Sequence, residues 1–271
     1  MRASAPAKIN LALVVGPLRD DGKHEVLTVY QRLAIADRIE LDEAPRLRVD
    51  GFAHDTLVRS ALEALAELAG VEPRWRVRIE KRLPVAAGIG GGSSDAATVL
   101  RLANATLAEP LPAGDLRELA ASLGADVPFF LAEGPQLGSG DGTTLAPLEL
   151  PQDFWVVLVL PRDAHKPSSA SVYADFDRRD GAVGWEERRR ALLDALEGVR
   201  RPRDLAALPP NDLASSPLAD ELRALGAFRA DVTGAGPAVY GLFHHKAAAH
   251  AAQRALKRSG EARITAPAWY G

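Results

Sequence analysis

The sequence contains no cysteine, which excludes disulfides and thiolate chemistry and suits a reducing compartment. It has no apolar run of about 18 residues or more, so no transmembrane helix and no membrane partner are expected. Lys8 and Asn10 interrupt the N-terminal stretch where a signal peptide would need an unbroken apolar core. These absences point to a cytoplasmic protein. Positive charge is not in excess either, since the net charge is -3. Nucleic-acid binding without sequence preference relies on Lys and Arg neutralising phosphates, so nucleic acid is not an expected partner. The basic runs at 188–190 and 200–203 read as solvated helix face or loop. No internal repeat is present.

What the chain does have is ordinary for a globular enzyme: 271 residues, 47% hydrophobic and 25% charged. That supplies a core without a metal or disulfide staple. Ile9, Leu11, Leu13 and Val15 alternate, which predicts a strand over 9–15, and Asp20-Asp21-Gly22 marks a turn into a returning strand over 26–35. A short strand is expected at 46–50 and a helix over 56–69, where Leu57, Ala61, Leu65 and Leu68 recur at helical spacing. Residues 74–81 alternate charged with apolar, the pattern of a half-buried strand. Helices are expected after the glycine-rich segment to about 107, over 115–123 and over 246–258. Residues 155–160 form an apolar run closed by Pro161, hence a buried strand, and residues 230–243 read as strand, glycine turn, strand. The charged stretch 178–203 reads as helix or loose chain. Prolines near 147–151 suggest a boundary between halves 1–150 and 151–271. The mixture, with early antiparallel pairing, favours an α+β fold.

The chemistry concentrates in Pro84-Val-Ala-Ala-Gly88-Ile-Gly90-Gly91-Gly92-Ser93-Ser94, placed between a strand and a helix. Glycine permits positive φ and close approach of the backbone to an anion. The first amides of the following helix have no acceptor within it, and with the helix dipole they form an anion site. Other glycine motifs do not fit. A dinucleotide fingerprint from Gly88 would need glycine where Ser93 stands, and a nucleophile elbow from Gly91 would need glycine where Asp95 stands. No Gly-Lys-Ser/Thr is present for a Walker loop. The segment could also be only a tight turn with Ser94 as a cap and Asp95 favouring the dipole.

Three further features accompany it. Asp126 lies in Gly124-Ala125-Asp126-Val127-Pro128-Phe129-Phe130, between a helix end and an apolar run, as a turn residue or a catalytic acid. Lys8 and Asn10 share one strand face, as an edge guard or as partners of a carboxylate or phosphate. Thr233-Gly234-Ala235-Gly236-Pro237 is a second glycine turn, a hairpin loop or a site wall.

In this order the motifs resemble the GHMP kinase superfamily over essentially the whole chain. Within it they are similar to the kinases of non-mevalonate isoprenoid synthesis. The shared runs are Pro6-Ala7-Lys8-Ile9-Asn10-Leu11, Asp21-Gly22-Lys23-His24-Glu25, Gly90 to Ala96 and Leu123 to Phe130. The resemblance implies a two-domain GHMP kinase fold, with a ribosomal-protein-S5-domain-2-like N-terminal half and a ferredoxin-like C-terminal half. It implies ATP and Mg²⁺ as cofactors and transfer of phosphate to the 2-hydroxyl of cytidine diphosphate methylerythritol. Asp126 would be the general base, with Lys8 beside it keeping it ionised. Pro84, Gly88, Gly90, Gly91, Gly92, Ser93 and Ser94 would cradle ATP phosphates, and no protein metal ligand is assigned. Asn10, His24, Lys23, Gly234 and Gly236 would form the acceptor side, with His24 on the cytosine edge. A monomer or homodimer is expected. Alternatives are a homoserine- or mevalonate-type kinase, or a non-catalytic anion-binding protein on the same scaffold. The sequence departs from the family at three places: Lys23 replaces a stacking aromatic, Asp55-Thr56-Leu57 replaces Asp-Asn-Leu, and Gly138-Ser139-Gly140-Asp141-Gly142 replaces Arg-Gly-x-Gly-Glu.

Overall fold

The computed structural model describes residues 1–52, 57–162 and 168–268. The chain begins with β1 (Arg2–Leu18), β2 (His24–Glu43) and β3 (Arg48–Asp50), followed by α1 (Leu57–Leu68) and β4 (Trp75–Glu80). Then come α2 (Gly91–Asn104), α3 (Ala113–Leu123), α4 (Val127–Leu131), β5 (Gln136–Ser139), β6 (Thr144–Pro147) and β7 (Trp155–Pro161). The last part holds α5 (Ser169–Arg178), α6 (Trp185–Glu197), α7 (Pro217–Ala224), β8 (Arg229–Val232), β9 (Val239–Phe243), α8 (Lys246–Ala255) and β10 (Gly260–Thr265). Among the described residues no helix is long and apolar enough to cross a membrane. Two of the sequence readings, Asp55-Thr56 and the opening residue of the helix expected from 56, lie outside the described residues.

The chain divides into two compact units that interleave in sequence. One comprises Met1–Ala7, Ile35–Val85 and Gly90–Glu133; the other comprises Lys8–Ala34, Ala86–Ile89 and Gly134–Gly271. In the first unit the end of β2 pairs antiparallel with β4, Ile39 opposite Ile79 and Leu41 opposite Val77, and β3 adds to β4 in parallel. Period two decides the faces of this sheet. Trp75, Val77 and Ile79 are buried, while the charged residues between them are exposed and pair across strands, as Arg78 with Glu40. Helix α1 buries Val58, Ala61, Leu62, Leu65 and Ala66, one stripe at helical spacing. It packs against α2 and α3, and α2 packs against α4.

In the second unit the start of β2 pairs with β5, Val29 opposite Leu137, and β5 pairs with β6. A separate antiparallel sheet runs in the order β10-β7-β9-β8. The apolar run 155–160 forms its inner strand β7, as expected. Ala219 and Leu222 of α7 and Ala249 and Ala252 of α8 share one core cluster with Val157, Val159, Val239 and Phe243 of that sheet. A second cluster joins Leu13, Val15 and Val26 to Val172 and Phe176 of α5 and to Leu213.

One buried polar network ties this second core together. Tyr240 is fully buried and donates its hydroxyl to the Leu11 carbonyl at 3.2 Å. Arg229 donates to the Tyr240 oxygen at 3.1 Å and to the carbonyls of Leu205, Leu208 and Pro209. Burial pushes the Tyr240 phenol up to about 12, against the lowering influence of Arg229. A raised folded-state value favours the neutral phenol. The stability contribution is therefore complete below the ordinary tyrosine value of about 10 and is lost as pH rises toward about 12. Ultraviolet titration of the folded protein should show at least one tyrosine of the 4, Tyr240, that stays un-ionised until pH approaches about 12 or the protein unfolds. Ionisation of all of them near the ordinary value, with native circular dichroism retained, would contradict this placement.

Candidate active site

In the first unit the alternating strand β4 delivers the chain to Pro84 and then to the glycine-rich segment. Ala86 adopts φ 59, an uncommon conformation for a residue with a side chain, and Gly90 follows at φ 72 as the N-terminal cap of α2. The Ser94 amide makes the first helical bond, to the Gly90 carbonyl at 2.8 Å. The amides of Gly91, Gly92 and Ser93 therefore have no acceptor within the helix. Among the described residues nothing lies within 4 Å of a Cβ placed on Gly92, so no described side chain covers that position. Ser94 is fully buried, and its Oγ has no hydrogen-bond partner among the described residues. The reading of Ser94 as a helix cap is not met: the cap is Gly90 and no side chain caps α2.

Asp126 is half-buried and stands at the head of the short helix α4. Its side chain does not cap that helix. Behind it Phe129 and Phe130 are buried edge to face, with ring centroids 5.1 Å apart, in the helix that packs on α2 and α3. These aromatic anchors fix the backbone that carries the carboxylate.

In the second unit Lys8 and Asn10 are both buried, so the edge-guard reading of Lys8 gives way to a paired one. Lys8 Nζ donates to Asn10 Oδ1 at 2.7 Å, and Asn10 Nδ2 donates to Thr28 Oγ1 at 2.8 Å. The Thr233 hydroxyl accepts from the Asn10 amide at 3.1 Å and lies 3.4 Å from the Gly88 carbonyl. A Cβ on Gly234 would sit 3.6 Å from both Lys8 Nζ and Asn10 Oδ1. Lys8, Asn10, Gly88 and Gly234 thus converge. Asn211 holds the turn from behind, donating to the Gly234 carbonyl at 2.7 Å. Gly236 also lines a cleft of about 780 Å³ with Arg162, Arg179 and Ser216. Thr233 lies in the second glycine turn but its hydroxyl carries no motif signal, and neither do Thr28 and Asn211, so sequence alone does not point to them.

His24 belongs to a separate cluster in the same unit. It is buried, with Nδ1 2.9 Å from the Gly16 carbonyl and Nε2 3.3 Å from Asp177. A carbonyl only accepts, so Nδ1 carries the hydrogen. The ring stacks on Tyr173 at 5.0 Å and meets the Phe176 ring edge-on at 5.7 Å. Tyr173 is an aromatic the sequence reading missed, since α5 was not expected. Lys23 is exposed and bonds Asp141 at 2.5 Å. That hydrogen bond raises the Lys23 ammonium. Burial pushes the Asp141 carboxyl up, but bonds from Lys23 and Thr143 outweigh it and hold it below the usual range. One departure in the sequence, Lys23, is thus bonded to another, Asp141.

Comparison with known proteins gives a consistent result. The family description "GHMP kinases N terminal domain" matches residues 56–134, and "GHMP kinases C terminal" matches residues 207–262. A 4-diphosphocytidyl-2-C-methyl-D-erythritol kinase of Anaeromyxobacter dehalogenans is 38% identical, over 93% of this chain and 84% of that protein. One of Geobacter sulfurreducens is 36% identical over 94% of both. A crystal structure of 4-(cytidine 5'-diphospho)-2C-methyl-D-erythritol kinase superposes with a TM-score of 0.80 at 32% identity, covering 99% of this chain and 100% of that one. Mevalonate kinase of Methanococcus jannaschii superposes at 0.75 with 13% identity, covering 100% and 98%, and shares the fold.

Gly88 offers a direct check on the convergence in the second unit. It has φ 80, and a Cβ there would lie 2.6 Å from the Thr233 carbonyl oxygen and 2.8 Å from that of Gly236. Both obstacles are backbone and cannot swing aside. Gly88→Ala should lower stability in urea unfolding by about 1–3 kcal/mol, the usual cost of such strain. An unchanged midpoint would mean that the turn does not pack against this loop.

Proposed function

Since the chain belongs to the GHMP kinase family, whose fold it shares, we propose that it uses ATP to phosphorylate the 2-hydroxyl of 4-diphosphocytidyl-2-C-methyl-D-erythritol, a step in isoprenoid precursor synthesis. The observation that carries the proposal is the open helix start at Gly91, Gly92 and Ser93, with the buried Ser94 hydroxyl, which has no partner among the described residues, beside it. Bare amides at a helix N-terminus bind phosphate through hydrogen bonds and the dipole together. Pro84, Gly88 and Gly90 supply the turn that aims them.

Phosphoryl transfer needs positioning and charge neutralisation more than covalent help from the protein. Asp126 is assigned to orient the acceptor hydroxyl and take its proton. Lys8 is assigned as the cation that supports ionised groups during transfer, oriented by Asn10. Asn10 and the Gly234 turn are assigned to the acceptor, with Gly236 on the site floor. His24, with its ring pinned by Gly16 and Tyr173, is assigned to the cytosine edge, and Lys23 to its outer rim. Magnesium, when bound with the nucleotide, neutralises phosphate charge, and Ser93 and Ser94 are the hydroxyls that fit it. Among the described residues no group of three or more His, Asp or Glu side chains could hold a metal. Magnesium commonly needs few protein ligands when substrate phosphates share it.

The proposal includes a cytoplasmic location, in keeping with the absence of cysteine. It also keeps functional halves 1–150 and 151–271. The two family matches, which fall on either side of residue 150, support them. A homodimer or monomer completes it.

The test is ADP release with the cytidine diphosphate methylerythritol acceptor, run beside homoserine and mevalonate. Turnover should be confined to the first. Asp126→Ala should keep its melting profile and lose about 10²–10⁴-fold in kcat, the usual contribution of a positioned base. Undiminished turnover in that variant would remove Asp126 from the reaction, and preference for either other alcohol would overturn the substrate assignment.

A further inference from the structure

Beneath the start of α2, all within the first unit, lies a charge cluster that the proposed chemistry does not use. Asp37 on β2 and Asp95 of α2 are both fully buried; Asp95 lies just past the first turn, which holds no acidic residue, so it does not serve the helix dipole as its place in the sequence suggested. Lys81, one residue beyond β4, donates to Asp37 Oδ2 at 2.5 Å and to Asp95 Oδ2 at 2.8 Å. The second oxygen of Asp37 accepts the backbone amides of Arg82 at 2.5 Å and Leu83 at 2.7 Å. A Cβ on Gly91 would sit 3.6 Å from Lys81 Nζ. The ammonium is therefore next to the phosphate segment but is bonded inward. The ammonium also lies over the Phe52 ring, 5.7 Å from its centroid.

We propose that Asp37, Lys81 and Asp95 are positioning residues that hold the two ends of the phosphate segment together, so that the amides of α2 are pre-aimed before the nucleotide arrives. This rests on the reading of that segment as the ATP site. Asp37 fixes the outgoing end, where its carboxylate grips residues 81–83. Asp95 fixes the incoming end, one residue after Ser94. Lys81 joins them. Between these ends the chain is rich in glycine, and an untethered segment of that kind would lose much conformational entropy on binding. Closing its ends beforehand moves that loss into folding, which strengthens binding without any added contact.

The charges exclude the other role that Lys81 could take. Two carboxylates face one ammonium, so the cluster as a whole is not cationic and cannot serve as the phosphate counter-ion. Burial pushes the Lys81 ammonium down, but its bonds to Asp37 and Asp95 outweigh that and hold it above the ordinary lysine value. It stays charged, and its charge is matched inward.

The experiment compares Lys81→Met, Asp95→Asn and the triple variant Asp37→Asn, Lys81→Met, Asp95→Asn with the wild type. The triple variant leaves no uncompensated buried charge, so it folds where Lys81→Met alone could fail. Binding of a non-hydrolysable ATP analogue with magnesium is measured by calorimetry, alongside KM for ATP and for the acceptor and the melting temperature. In Asp95→Asn and the triple variant the analogue's Kd and the KM for ATP should rise on the order of tenfold, as when a group that orients a binding shell is removed. KM for the acceptor should stay within about twofold of wild type, since the interactions changed belong to the nucleotide side. Wild-type nucleotide affinity in the folded triple variant would overturn the inference and leave the ATP reading intact. An equal loss for both substrates would reduce the cluster to a structural role and overturn it too. Failure of the wild type to bind the analogue would sink the ATP reading and the inference with it.

Discussion

A helix that opens on glycine leaves its first amides without acceptors, and everything at Gly90–Ser94 depends on keeping those amides bare and fixed. Both conditions are hard to meet at once. Side chains would cover the amides, so the turn uses Gly90, Gly91 and Gly92. Glycine makes the turn loose, so the restraint must come from elsewhere. In the first unit it comes from buried carboxylates around one ammonium, Asp37 and Asp95 about Lys81. Buried ion pairs of this kind add little net stability over an apolar packing, but they penalise any structure in which one partner is lost. What they supply here is definition of a single geometry.

The second unit solves a different problem with similar means. Lys8 would normally seek solvent, yet it is buried with Asn10 on a strand face. It is tolerable there because Asn10 accepts its hydrogen bond and Thr28 and Thr233 fix Asn10, with the Gly234 turn packed close to the ammonium. Asn211 and the Arg229–Tyr240 pair support that turn and the strands beside it from the core side. His24 is restrained in the same style, by Gly16, Asp177 and the Tyr173 ring.

Much of this was legible in the sequence, and the reason is local. The glycine-serine segment, the alternation of β4, the helical stripes of α1 and α3 and the β8–turn–β9 unit are each written in contiguous residues. β1 and β2 are longer than their apolar alternation suggested. Small residues such as Ala5 and Ala7, and charged residues such as Arg38 and Glu40, continue the pairing without continuing the apolar pattern. Helices α5 and α7 and strand β10 were not expected. Their apolar residues are few, two buried side chains each in α5 and α7, and tertiary packing on the hydrophobic cores rather than propensity holds them. The site followed the same rule. Motif residues stand out in contiguous sequence, whereas Thr28, Asn211, Tyr173, Asp37 and Lys81 act through partners far away in sequence that no local pattern announces.

The account as a whole turns on the three amides that open α2. Backbone resonances of nitrogen-15-labelled protein, followed during titration with a non-hydrolysable ATP analogue and magnesium, report on them directly. The amides of Gly91, Gly92 and Ser93 should shift together, saturate with the nucleotide and exchange more slowly with solvent once it is bound. Saturable nucleotide binding that leaves those three resonances and their exchange rates unmoved would contradict it.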